Sequence, residues 1–157
     1  MKAATLAEIK RELSTLEANR LLEICMRLGK YKKENKELLT YLLFESSDEH
    51  GYIDAVKAEI DEQFSNLPQG NLYFVKKSLR KILRMANRQI KYSESKQTEL
   101  ELRIHFCTAI KNSSIRMEKS PVLHNLYQQQ LKKITAALTK LPEDLQYDYK
   151  QAVDHLS

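Results

Sequence analysis

Glycine and proline are scarce in this chain, with three of each among 157 residues. Phosphate-binding loops, tight β-hairpins and β-barrels all use glycine where the backbone needs a positive φ, so its scarcity argues against these structures. No run of alternating apolar and polar residues is long enough to predict a strand. The sequence therefore predicts an all-α fold.

The chain also has no tryptophan and only two cysteines, Cys25 and Cys107. Both cysteines lie in apolar helical patterns, which predicts reduced thiols in the core. No window holds the roughly 18 apolar residues that a membrane span requires, and the first residues lack the apolar segment of a signal peptide. We expect a cytoplasmic protein that does not bind membranes.

Length and composition indicate a globular protein, since 42% of the residues are hydrophobic and 30% are charged. A chain of 157 residues predicts one all-helical domain over residues 1–157. The segment 66–71 holds a proline and a glycine and is the clearest predicted loop. It separates two candidate sub-bundles within that domain, residues 1–64 and 71–157.

Capping signals divide the chain into about seven or eight short helices. Ser/Thr-x-x-Glu boxes predict helix starts at Thr5, Ser14 and Ser46. Ser120-Pro121 and Pro142 open the last two helices. The connections are short, which predicts antiparallel helical hairpins arranged as a bundle or a short HEAT-like solenoid. Apolar residues lie on almost every side of the predicted helix 33–46, so we expect this helix at the centre of the core.

A resemblance covers roughly the first third of the chain. It is carried by the leucine-rich segment 21–28 and by the segment 31–39, which contains Lys-Glu-Asn-Lys-Glu. These segments resemble the opening of small bacterial all-helical proteins of unknown function. The resemblance implies a bacterial, cytoplasmic, helical protein, and it implies no activity.

The residues that catalysis or metal binding would require do not converge in the sequence. The four histidines are scattered over separate helices. Glu101 and His105 share a helix face, which we interpret as an exposed hydrogen-bonded pair and not as half of a metal site. Nucleophile motifs, phosphate loops and Cys-x-x-Cys are absent. We therefore predict no catalytic residue, no metal ligand and no cofactor; an enzyme whose site assembles only in the fold is the third hypothesis.

One helix carries a basic face. From Ser65 to Ser93 there is no Asp or Glu. At about 100° per residue, five cations cluster on one side of the predicted helix 71–92, opposite an apolar stripe from Val75 to Ile90. Such a stripe can follow the phosphates of a nucleic acid or an acidic partner. The candidate binding residues are Lys77, Lys81, Arg84, Arg88 and Lys91.

The competing interpretation is that this basic face is solvated or neutralised within the fold. Residues 45–62 contain seven acidic residues and one lysine, and the helix they form should pack beside helix 71–92. Four tyrosines near helix ends, Tyr31, Tyr92, Tyr147 and Tyr149, are expected to be partly exposed.

The predicted function follows from these absences and from the basic face. We predict a non-enzymatic helical interaction or adaptor module that binds a protein partner or itself. The alternative is a nucleic-acid-binding accessory protein that uses the basic face of helix 71–92.

Overall fold

The computed structural model describes every residue from Met1 to Ser157 and confirms the predicted all-α fold. It contains eight α-helices and no strand. A π-helical turn, Tyr41–Glu45, and a 3₁₀ turn, Met117–Lys119, accompany them. The helices are α1 (Leu6–Leu13), α2 (Ala18–Tyr31), α3 (Lys33–Thr40), α4 (Glu49–Ser65), α5 (Leu72–Ser93), α6 (Lys96–Asn112), α7 (Pro121–Leu138) and α8 (Glu143–Asp154). No helix is both long and apolar enough to cross a membrane.

The predicted caps of α1 and α7 are confirmed. The hydroxyl of Thr5 accepts a hydrogen bond from the backbone N–H of Glu8, and the Glu8 carboxylate accepts one from the backbone N–H of Thr5. This reciprocal pair satisfies two N–H groups that the first turn of a helix leaves without partners. Ser120 caps α7 by accepting from Leu123, with Pro121 at the first helical position.

Two other predicted caps are wrong. Ser14 belongs to the end of α1, because its hydroxyl donates to the carbonyl of Arg11 at 2.7 Å. The cap of α4 is Asp48 and not Ser46: the Asp48 carboxylate accepts from the N–H of Gly51 at 3.0 Å. Serine and aspartate compete for this role, and a charged acceptor beside the positive end of the helix dipole is the stronger one.

The chain divides into two compact units, Met1–Leu43 and Phe44–Ser157. In the first unit α2 packs against α3. The side-chain amide of Asn35 donates to the carbonyl of Leu28 at 2.8 Å and ties the two helices together. A Cβ atom on Gly29 would lie 2.9 Å from Cδ1 of Leu39, so a larger residue there would require the Leu39 side chain to shift. The prediction of a single domain stays a prediction.

The prediction that helix 33–46 forms the centre of the core is wrong. Its α-helical part ends at Thr40, and none of the residues of α3 is buried. In the π-helical turn Tyr41 is buried, while Leu43 and Phe44 are 69% and 73% exposed. An apolar segment predicts burial only where neighbouring helices supply a surface, and the sequence alone does not reveal that surface.

The core of the second unit is built around α6. This helix packs against α4, α5 and α7. The rings of Phe64 and Phe106 meet edge to face, with centroids 5.8 Å apart. The Tyr127 hydroxyl donates to the carbonyl of Leu156 at 2.7 Å and fastens the end of the chain to α7. The side chains with almost no exposure are Ile60, Leu79, Leu100, Leu102, Phe106, Cys107, Ile110 and Ile134.

Candidate functional site

Helix α5 presents the predicted basic residues on its outer face. The Asn71 side chain caps its start, and Glu94 ends it in the left-handed conformation, with φ of 58°. On the inner side Val75, Leu79 and Ile82 are buried. On the opposite side the five predicted residues follow one another; all are exposed except Arg88, which is half-buried. They are Lys77, Lys81, Arg84, Arg88 and Lys91.

Four of these cations have no acidic neighbour. No carboxylate lies within 4.0 Å of Lys77, Lys81, Arg84 or Lys91. Fixed positive charges without partners attract anions more strongly than charges that are already paired. These four residues, together with Arg88, are called the basic face below.

Acidic residues of α4 are engaged with α6. The Lys57 ammonium contacts the Glu101 carboxylate at 2.7 Å, and Asp61 contacts His105 at 2.7 Å. The Glu49 carboxylate accepts a hydrogen bond from the Thr98 hydroxyl at 2.6 Å. Glu49 and Asp61 of α4 therefore have partners on α6, and Glu49 also accepts a hydrogen bond from the Ser93 hydroxyl of α5.

Glu101 and His105 do not form the exposed pair that the sequence predicts. Each reaches a different residue of α4, and the Tyr149 hydroxyl donates to Glu101 at 2.6 Å. Burial acts to raise the pKa of Glu101, but hydrogen bonds from Lys57 and Tyr149 outweigh it and lower this pKa. Burial, together with the hydrogen bond to Glu101, raises the pKa of Tyr149 to about 12. The arrangement holds α4, α6 and α8 together.

A second polar network lies where α5, α6 and α7 meet. Arg103 is buried, and its guanidinium donates to Gln130 at 2.8 Å and to Asn87 at 3.0 Å. It also forms an ion pair with Glu99 at 3.0 Å. Burial acts to raise the pKa of Glu99, but hydrogen bonds from Lys96 and Arg103 outweigh it and lower this pKa. The sequence analysis missed this network, because a single arginine in an apolar helix carries no signal of its partners.

An open polar cleft of about 670 Å³ lies over this network. Lys91 of the basic face lines it, together with Lys96 and Lys133. Its two acidic residues are Glu94 and Glu99, and Glu99 is already paired with Arg103 and Lys96. The cleft therefore extends the positive surface of α5 at its C-terminal end.

The first unit has a different surface, which is apolar. None of the side chains of α1, α2 and α3 is buried. On α2, Leu22 is 61% exposed and Leu28 is 55% exposed. Leu28 and Ile24 line a cleft of about 530 Å³ that is flanked by Arg20 and Arg27. Large exposed apolar surfaces on folded proteins mark binding sites.

The cysteines and the predicted exposed tyrosines differ in environment. Cys107 is buried as predicted, but Cys25 is exposed. Tyr31 and Tyr147 are largely exposed, whereas Tyr92 is buried.

No three His, Cys, Asp or Glu side chains lie together in a geometry that would hold a metal ion.

The comparisons with known proteins give no independent indication of function. No family model, curated protein or solved structure matches this chain. The resemblance of residues 21–39 to small helical bacterial proteins stays a prediction.

Proposed function

We propose that this protein is a non-enzymatic helical interaction module that binds a partner protein through the apolar surface of its first unit. The observation that supports this proposal is that α1, α2 and α3 have no buried side chain. Units of about 40 residues or fewer seldom bury enough apolar surface on their own and are usually completed by another chain, a metal or a disulfide.

Charge indicates the kind of partner. Residues 1–43 contain nine Lys and Arg against six Glu. Two identical positive surfaces repel each other, whereas an amphipathic helix with an acidic rim would complement Arg27, which lines the α2 cleft beside the ion pair of Arg20 with Glu23. A partner helix of that kind is therefore favoured over a second copy of the chain.

A pair of matched variants tests the proposal. The full chain is used as bait in extracts, and each captured protein is purified and titrated by calorimetry. Leu28→Glu on α2 should abolish binding, while Tyr147→Glu, which changes an exposed residue of α8, should leave it intact. Burial of apolar surface should appear as a negative heat-capacity change.

Three results would count against the proposal. One is a chain that remains monomeric from micromolar to millimolar concentration and captures no protein. Another is a captured partner that tolerates Leu28→Glu. If the chain associates with itself and Leu28→Glu abolishes that association, the apolar surface binds a second copy of the chain and not a different protein.

A second candidate function is favoured by a separate observation: four cations of the basic face have no carboxylate within 4.0 Å. We infer that this face binds the phosphates of a nucleic acid. If five phosphates are engaged, the logarithm of the binding constant should fall with the logarithm of salt concentration at a slope of about −4.5 on duplex and about −3.5 on single strands.

Charge reversal tests this second function. Lys77→Glu, Lys81→Glu and Arg84→Glu together should abolish binding of labelled oligonucleotides measured by fluorescence anisotropy. The control variant reverses the charge of three exposed lysines outside α5, namely Lys132, Lys140 and Lys150. Its net charge therefore changes by the same amount. Equal loss in both triple variants would show an effect of net charge and would refute a site on α5.

A further inference from the structure

An exposed aromatic residue continues the basic face toward the start of α5. Tyr73 lies in the first turn of α5, where its backbone N–H donates to the side chain of Asn71 at 2.9 Å. Tyr73 is 67% exposed, and the neighbouring Phe74 is 50% exposed. The two rings meet edge to face with centroids 5.3 Å apart. Sequence analysis did not single out Tyr73, although its helical spacing from Lys91 is a signal that could have placed it on the basic face.

Helix geometry places Tyr73 on the same side as the cations. Eighteen residues separate Tyr73 from Lys91, which at about 100° per residue is five whole turns, so the two side chains leave the helix in the same direction. Arg84 deviates from that direction by about 20°, Lys77 by about 40° and Lys81 by about 80°. At about 1.5 Å per residue this surface is about 27 Å long, with the aromatic ring at one end and the polar cleft of Lys91 at the other.

The cations and the exposed aromatic ring of this surface indicate which class of ligand it would bind. The cations suit phosphates, and the segment 66–93 contains no acidic residue that would repel them. A largely exposed aromatic ring gains free energy by stacking on the face of a base. The bases of a duplex already stack on one another, so their faces are available only in single strands, loops and ends.

We propose that the outer face of α5 binds single-stranded nucleic acid, with Tyr73 stacking on a base while Lys77, Lys81 and Arg84 contact the phosphates that follow. This inference rests on the nucleic-acid function proposed above and specifies its ligand. At about 1.5 Å per residue, Lys77 and Lys91 are about 21 Å apart along the helix, so this face is long enough to contact several consecutive phosphates of an extended strand. Stacking makes no use of base edges, so we expect little sequence preference.

The first experiment measures the anisotropy of labelled 20-nucleotide single strands and of the matching duplex. Tyr73→Ala should weaken single-strand binding by about 5- to 150-fold, the range that loss of one stacked base gives, and should leave duplex binding unchanged. The slope against salt should also stay unchanged, because no phosphate contact is lost. Tyr73→Phe keeps the ring and should retain affinity, and Tyr147→Ala is the control for loss of an exposed tyrosine.

The second experiment observes stacking directly. The chain has no tryptophan, so Tyr73→Trp introduces one reporter at this position. Its fluorescence should be quenched by oligothymidylate and not by pyrophosphate, which supplies the charge without a base. Because Tyr73 is two-thirds exposed, these substitutions should leave the far-UV circular dichroism spectrum unchanged.

The outcomes separate this inference from the function on which it rests. Absence of binding to any nucleic acid at low salt would refute both. Binding to single strands and duplex that is abolished by charge reversal but unaffected by Tyr73→Ala would refute the stacking inference alone. A Tyr73→Trp variant that binds oligothymidylate without quenching would also refute it.

Discussion

The buried Arg103 offers the most direct test of how the second unit is held together. Replacing it by methionine keeps a long unbranched side chain but removes the guanidinium. The change deletes the hydrogen bonds to Gln130 at 2.8 Å and to Asn87 at 3.0 Å, together with the ion pair to Glu99. Three helices lose their shared polar contact at once.

The size of the destabilisation depends on whether the former partners of Arg103 can find another hydrogen-bond donor. Gln130 is only 2% exposed, so its amide oxygen cannot exchange the lost donor for water, and an unsatisfied buried group of this kind costs about 1–3 kcal/mol. Removing one partner of a buried ion pair costs about 3–5 kcal/mol in measured cases. Glu99 keeps its contact with Lys96 at 2.9 Å, which places the expected loss toward the lower part of that range. We expect Arg103→Met to lower the free energy of unfolding by about 3–4 kcal/mol.

The assay is urea denaturation followed by circular dichroism at 222 nm. The double variant Arg103→Met with Gln130→Met removes both partners of the most buried hydrogen bond. It should be less destabilised than the sum of the single variants by about 1–2 kcal/mol. Lys132→Met, an exposed change on α7, is the control and should stay within about 0.5 kcal/mol of the parent. A loss below about 1 kcal/mol for Arg103→Met, or strict additivity in the double variant, would refute the role assigned to this network.

Three other predictions concern burial and titration. A thiol reagent should modify Cys25 rapidly and Cys107 only on unfolding, because burial raises the pKa of the Cys107 thiol to about 12 and shields it; equal rates would contradict the placement of the two residues. Ile134→Ala should cost about 2–5 kcal/mol in urea denaturation, because this side chain has no exposed surface; a loss below about 1 kcal/mol would show that the site is not packed. The folded pKa of Glu101 lies below its ordinary value of 4.5, so its stabilising contribution is complete above that pH and is lost as the pH falls through the folded pKa. The urea midpoint of Glu101→Gln should therefore fall less than that of the parent between about pH 6 and pH 3, and parallel curves would contradict this assignment.

The capping and periodicity signals of the chain predicted most of its helices. The bounds of α5 lie within one residue of the predicted helix 71–92, and α7 starts at Ser120-Pro121 as predicted, because caps and apolar stripes act within a few residues of chain. The cap of α4 was misplaced because Ser46 and Asp48 are both residue types that commonly cap helices. A choice between two adjacent acceptors depends on backbone angles that the sequence does not specify.

The basic face of α5 was predictable for the same local reason. Residues three and four apart on a helix share a side wherever the helix lies, so Lys77, Lys81 and Arg84 had to fall together once α5 formed. Whether they carried acidic neighbours was not predictable, since Asp61 and Lys57 lie on α4 and the direction in which α4 turns its charged side is set by packing.

The sequence by itself determined that the chain is helical, where most helices begin, and that α5 is basic on one side and apolar on the other. The tertiary structure alone decided which helix occupies the centre. The segment 38–44 is more continuously apolar than the segment 100–110, yet α6 lies inside and Leu43 and Phe44 face solvent. The charged residues of α6 are accommodated because Lys57, Asp61 and Gln130 arrive from other helices, and such partners are distant in sequence. Burial depends on the sum of all neighbours in space, whereas a sequence pattern records only neighbours along the chain.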